Sequence, residues 1–483
     1  MPAGNAMTIH KTSPVSFASR RRALLQLGGL GALGLAPGLS TLATRANAGS
    51  GGAYKALVCV YLTGGNDGNN MVVPTDAGSY AQYLSARGGL GTPSNNALAL
   101  PQAGDPGGVL PLQGTRYGLH PSMPEMRDLW NRGHVALLFN AGNLVQPFAS
   151  RSAYLDNADN RRVPEHLFSH LDQLHQTQIT SLGAGVTTGW AGRLADFTPA
   201  RDDGIPAVIS AAGNALFLTG TTSSPLVVPQ SGSMNFNFFS GDAPSQARLT
   251  ALQALIGNPG NASQLVATLA TQQGDVLKKA RLLQSVLAGP AAATMAANFP
   301  NVGTSALAQQ LVQVALLIQA AVSGAVVAPA QQIFFVELGG FDTHDTQLQQ
   351  QAMLLAELSS SLHGFFQAVA GIGQADNVVA FTMSDFGRTL LPTSSGGSDH
   401  GWGSHHLIMG GTGAVRAGLY GEFPSLRLAG PSDVSDRGRW LPTTSIDQYG
   451  ATLASWLGAR PDAVSAAFPN LRNFSTQNLG FLA

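Results

Sequence analysis

Four apolar runs along the chain are continuous rather than alternating: ALVCVYL at 56–62, HVALLFN at 134–140, QIFFVEL at 332–338 and NVVAFTM at 377–383. Runs of this length and character predict strands covered on both faces, as in a mostly parallel sheet. Between them lie helical patterns, for instance residues 347–369, where apolar positions recur at three- and four-residue spacing. The alternation predicts an α/β fold, a doubly wound, mostly parallel sheet with helices on both faces. From about 213 to 330 the pattern changes to Ala/Leu/Gln-rich stretches such as LTALQALIG and LAQQLVQVALLIQAAV, which read as a helical insertion or cap. The Gly/Ser/Thr-rich residues around 219–234 read as a surface loop. No fixed-period repeat is evident, which sets aside solenoids and propellers.

Open α/β sheets bind ligands beyond the carboxyl ends of their strands. Polar residues fall there after each of the four runs: Asp67 shortly after the first, Asn140 at the end of the second, Asp342 after the third and Asp385 after the fourth. The chemistry is concentrated in GGFDTHD at 339–345, SDFGRT at 384–389 and SDHGWGSHH at 398–406, which hold four of the eleven histidines. Asp342, His344, Asp385, Asp399, His400, His405 and His406 are metal-ligand types, and the glycines around them permit tight backbone bends.

Composition narrows the classes. The 483 residues are 44% hydrophobic, only 11% charged and of zero formal net charge. This describes a globular chain with no basic patch for nucleic acid. The single cysteine, Cys59, lies inside an apolar run, so no internal disulfide forms and a buried thiol is expected. At the N-terminus, Ser19-Arg20-Arg21-Arg22 precedes a mildly apolar, glycine-rich stretch and then Ala46-Asn47-Ala48. This pattern resembles a twin-arginine export signal over residues 1–48 with an A-x-A cleavage site. Export to the periplasm or beyond by the twin-arginine machinery is expected, with no stable membrane span after cleavage.

Taken together, the leader, LTGGNDGNN, SHLDQLHQT followed by GWAGR, LGGFDTHD, SDFGRT and DHGWGSHH resemble the exported DUF1501 family of the alkaline phosphatase-like superfamily, over essentially the whole mature chain from residue 49. That resemblance implies one or two divalent metal ions, whether zinc, manganese, magnesium or calcium. It also implies a hydroxyl or thiol nucleophile at a helix start that attacks phosphate or sulfate esters. Asp67 in GGNDG resembles the first-strand metal aspartate, the alternative being an ordinary turn, while Asp342 and His344 resemble a metal-holding pair and Asp385 the aspartate of an Asp-His pair. The chain departs from the pattern at Phe386, which stands where the second histidine is expected and leaves a second metal site one ligand short. His400 and His405 are the expected ligands of the last segment, with His406 either orienting a ligand or meeting a substrate oxyanion.

Ser169, ahead of a helical pattern and beside His170, is either the nucleophile or an N-cap. His170 is expected as a general acid/base or ligand. Arg388 is expected either to bind an anionic oxygen or to pair with Asp385, while Asn66 and Asn140 are expected at the substrate. The expected function is therefore metal-assisted hydrolysis of a phosphate or sulfate ester. The alternative is a secreted, non-catalytic metal- or anion-binding protein on the same fold. An oxidoreductase is disfavoured, since no GxGxxG follows a strand and opens a helix.

Overall fold

A computed structural model describes residues 53–88, 96–156, 163–180, 185–199, 204–232, 242–257 and 263–483. The export signal and its cleavage site lie outside the described residues, as do parts of the 219–234 and 213–330 stretches. Gly49–Ala483 form one compact unit.

The main sheet contains β1 (Lys55–Leu62), β2 (Val135–Gly142), β3 (Val208–Ser210), β4 (Leu226–Val227), β5 (Gln331–Leu338), β6 (Val378–Ser384), β7 (Ser404–Met409), β8 (Gly418–Tyr420) and β9 (Thr444–Ser445). Its order is β8-β2-β7-β6-β1-β5-β3-β4, with β9 also paired to β2. All pairings are parallel except the two made by β7, which runs antiparallel to both β2 and β6. The fold is thus α/β with a mixed, mostly parallel sheet. The four apolar runs are its four longest central strands, displaced by at most two residues from the ends predicted by pattern.

The described helices include α1 (His170–Ile179), α2 (Ala306–Val322), α3 (Gln347–Gly371) and α4 (Ile446–Leu457). Burial on both faces accounts for the unbroken hydrophobicity of the strands between them. Successive side chains of a strand point to opposite faces, and β1 divides accordingly. Val58, Val60 and Leu62 pack against one helical layer that includes Leu311 and Ala315 of α2 and Leu355 and Phe365 of α3. Leu57, Cys59 and Tyr61 pack on the other face with Trp190 and with Tyr449 and Leu453 of α4. Cys59 is a buried free thiol.

Within the 213–330 stretch the described residues form helices Ala243–Gly257, Gln264–Leu287, Ala291–Ala296 and α2, together with a short 3-10 turn and the two-residue strand β4. Its last helix, α2, is part of the sheet's own helical layer, packed against β5 and α3. No described helix is long and apolar enough to cross a membrane.

Candidate metal centre

The register of the central strands aligns their carboxyl ends. Leu62 of β1 pairs with Leu338 of β5 on one side and with Ser384 of β6 on the other. The loops that follow, 63–67, 339–345 and 385–390, therefore leave the sheet at one edge. Because β7 runs the other way, its first residues lie at that same edge, and His400 arrives just ahead of it.

The loops approach one another so closely that two positions tolerate only glycine. Gly64 and Gly65 have φ of +112° and +85°; a Cβ on Gly64 would stand 2.4 Å from the Asp342 nitrogen, and one on Gly65 2.4 Å from the Phe386 ring.

At this edge His170, Asp342, His344 and His400 each present a ligand-type atom, all within 4.8 Å of one another. His170 is the first residue of α1. One oxygen of Asp342, Oδ1, lies 3.1 Å from His170 Nε2, 2.8 Å from His344 Nε2 and 3.4 Å from His400 Nε2. His344 Nε2 and His400 Nε2 are 3.0 Å apart.

Neighbouring groups set the tautomers of two of these rings. His170 Nδ1 faces Asp385 Oδ2 at 2.9 Å, and His400 Nδ1 faces the Phe168 carbonyl at 2.7 Å. Both partners only accept, so each Nδ1 donates and each Nε2 of the neutral ring directs a lone pair at the shared centre. The Asp385 carboxylate is buried and also accepts the Gly64 N–H at 3.1 Å. Phe386 forms a wall for both rings, with centroids 4.7 Å from His170 and 4.8 Å from His400.

The protonation equilibria follow from these contacts. The hydrogen bond to Asp385 raises the pKa of His170 against the opposing effect of burial. Burial lowers that of His400, with the Phe168 carbonyl only partly compensating. Asp342 is raised by partial burial, but the hydrogen bond and charge of Arg388, with His170 and His344, outweigh this and bring it down to about 2. Asp342 is therefore a carboxylate at any neutral pH, and His400 a neutral imidazole.

This donor set fits a divalent ion. An ion holding ligand atoms tetrahedrally at about 2.0–2.1 Å sets them roughly 3.3 Å apart, close to the 2.8, 3.1 and 3.4 Å between Asp342 Oδ1 and the three imidazole nitrogens and the 3.0 Å between His344 and His400. The Asp385 carboxylate and the Phe168 carbonyl behind two of the histidines are the outer partners that metal-binding imidazoles ordinarily have.

Not all of the residues singled out in the sequence join the four. Asp67 caps a short helix at Gly68–Met71, and its carboxylate is taken by Arg87, Asn69 and Gln347. Asp385 stands behind His170 rather than beside it at the centre. His405 is buried; its Nδ1 accepts the Asn140 N–H at 3.1 Å, and burial lowers its pKa to about 3. His406 stacks on Tyr449, and burial brings its pKa to about 4.

Asn66 is buried, its backbone N–H bonded to Ser384 and its side-chain amide turned to the Met71 sulfur. The side chain of Asn140 donates to the Leu441 carbonyl. Ser169 N-caps α1, and its hydroxyl donates to Asp172 Oδ2 at 2.6 Å. Arg388 does not pair with Asp385: its Nη1 donates to Asp342 Oδ1 at 2.7 Å, and its Nη2 to the Ser398 carbonyl.

Sequence reasoning missed several contributors. Phe168 supplies only a carbonyl, at a strained φ of +73°, and Arg439 packs its guanidinium over the Phe168 ring and donates to the His400 carbonyl at 2.6 Å. Backbone acceptors leave no mark on residue type, and Arg439 lies far along the chain from both partners.

The family model described as Protein of unknown function (DUF1501) matches residues 54–436. The chain belongs to the DUF1501 family. No curated protein matches the sequence. Among solved structures, this DUF1501 protein resembles Ps i-CgsB in complex with k-i-k-neocarrahexaose at 11% identity and a TM-score of 0.32, over 85% of this chain and 73% of that one. It resembles Ps i-CgsB itself at 11% identity and a TM-score of 0.30, over 87% and 75% of the two chains. All four members of the DUF1501 protein's histidine/aspartate cluster fall inside the matched region.

Proposed function

We propose that this protein is an exported, metal-dependent hydrolase of phosphate or sulfate esters, built on an alkaline phosphatase-like fold and using one divalent ion. The observation that carries the reading is the convergence of His170, Asp342, His344 and His400 at the carboxyl edge of the sheet. The leader-like sequence supports export through the twin-arginine pathway.

Asp342, His344, His400 and His170 would hold the ion, with Asp385 and the Phe168 carbonyl fixing two of the rings. A bound divalent ion supplies Lewis acidity and makes an oxygen nucleophile available near neutral pH. Asp385 keeps the Nδ1 proton of His170 in place, so that ring stays oriented while its other nitrogen is engaged. Ser169 is adjacent in sequence to His170, and Asp172 is positioned to accept its hydroxyl proton, the pairing a serine nucleophile requires. Ser169 Oγ also accepts the Asp172 backbone N–H as the cap of α1, so a water nucleophile serves equally well in this scheme.

A second reading, metal binding without turnover, is favoured by one feature. Four protein ligands complete a tetrahedron, whereas catalytic sites keep a position open. Elemental analysis of protein purified without chelator, alongside assays on p-nitrophenyl phosphate and p-nitrophenyl sulfate, separates the two. Hydrolysis requires about one divalent ion per chain, and both ion and activity should be lost in Asp342→Ala and His400→Ala. A fully loaded protein that turns over neither ester supports the binding reading. A chain that takes up no zinc, manganese, magnesium or calcium sinks both.

A further inference from the structure

Behind Asp342 runs a buried line of hydrogen bonds that ends on a second carboxylate. Arg388, whose Nη1 holds Asp342 Oδ1 at 2.7 Å, turns its Nε to Ser398 Oγ at 3.3 Å. Ser398 Oγ donates to Gln347 Oε1 at 2.5 Å, and Gln347 Nε2 donates to Asp67 Oδ2, also at 2.5 Å. Arg87 then clasps Asp67 with Nη1 2.7 Å from Oδ2 and Nη2 2.7 Å from Oδ1. Arg87, Asp67, Gln347, Ser398 and Arg388 are each at most 1% exposed.

The direction of these bonds is fixed by chemistry. A guanidinium only donates, so Ser398 Oγ must accept from Arg388 and spend its own proton on Gln347. Gln347 thereby presents its oxygen to Ser398 and its amide N–H to the next group, which must be an acceptor. Asp67 is that acceptor, and the Arg87 guanidinium sets its positive charge against this buried side chain. Asn69 reinforces the line by donating from one amide to both Asp67 Oδ1 and the Arg388 carbonyl, each at 3.0 Å.

From this we infer that Asp67, Gln347 and Ser398 are positioning residues that set the Arg388 guanidinium, and through it the Asp342 oxygen, at the metal centre, and that Asp67 is not itself a metal ligand. A cation already occupies its carboxylate, the Arg87 guanidinium. The inference rests on the metal-centre reading and adds the residues that tune it.

The test is metal affinity measured by competition with a chromophoric chelator for zinc, on the full mature chain, in Ser398→Ala and Gln347→Glu. Ser398→Ala cuts the line at its middle; Gln347→Glu keeps shape but sets a carboxylate against Asp67. Arg388 is the outer partner of Asp342, and the loss of such a partner costs about 10–100-fold; acting through Arg388, both variants should weaken zinc binding by up to that much. Ser359→Ala serves as the control, since Ser359 is a buried serine on α3 that bonds Glu125 and lies outside the line. It should lose stability without losing zinc affinity.

Unchanged zinc affinity in folded Ser398→Ala and Gln347→Glu overturns the inference and leaves the metal centre standing. Equal loss in Ser359→Ala overturns it too, by showing a general effect of destabilisation. A wild-type chain that binds no zinc overturns the centre and the inference together.

Discussion

His170 is the histidine of the centre whose outer partner is a buried carboxylate. Nδ1 is committed to Asp385, and Nε2 faces Asp342. Asp385→Asn keeps the shape of the partner but offers an amide in place of a carboxylate, weakening the hold on the His170 proton. We expect a 10–100-fold loss of metal affinity, read by titration of the folded variant; an affinity equal to wild type would dissociate Asp385 from the centre. At this scale the sequence disclosed a good deal. Asp342, His344 and His400 stand in short glycine-rich segments, where acids and histidines packed so densely along the chain already suggest a common ion. Asp67 looked the same in sequence, in GGNDG, and only the fold shows Arg87 brought against it from a helix. The role of Phe386 was equally hidden: as a departure from a motif it marks a missing ligand, and in space it is the wall that two imidazoles lie against.

Among the elements, the helix Ala77–Gly88 contributes most out of sight, since its last turn carries Arg87 into a fully buried ion pair with Asp67. Removing one partner of such a pair strands the other charge away from water. Arg87→Met should therefore destabilise the fold by about 3–5 kcal/mol, measured by urea denaturation; a loss below about 1 kcal/mol would show that water reaches Asp67. The strands were legible in sequence because burial on two faces erases alternation, leaving runs such as QIFFVEL. The membership of α2 in the core layer was not legible, because an apolar helix in a cap and one against a sheet share the same spacing. Contact with β5 decides between them, and that is a tertiary fact.

For the whole molecule, acid sensitivity follows from the neutral histidines packed inside. His405 and His406 have folded-state pKa values lowered by burial to about 3 and about 4, against about 6.5 in the unfolded chain. The unfolded state thus binds more protons between those values, so stability is complete above about pH 6.5 and declines as pH falls towards 4. The decline should be on the order of a few kcal/mol per histidine. Urea midpoints at pH 7.5 and pH 5, taken with chelator present so that ion release does not contribute, should fall at the lower pH. His406→Phe should flatten that dependence, and a midpoint unchanged with pH in the wild type would refute the coupling.

The reversed direction of β7 also has a consequence in time. Synthesis delivers His170, Asp342 and His344 before His400, which stands just ahead of β7, the strand seated between β2 and β6, two strands already made. The last ligand is thus carried by the segment that closes the middle of the sheet. On the proposed metal-centre reading, capture of an ion would record that β7 has taken its place between β2 and β6, so that a chain carrying the metal would be one whose sheet has already closed in the middle.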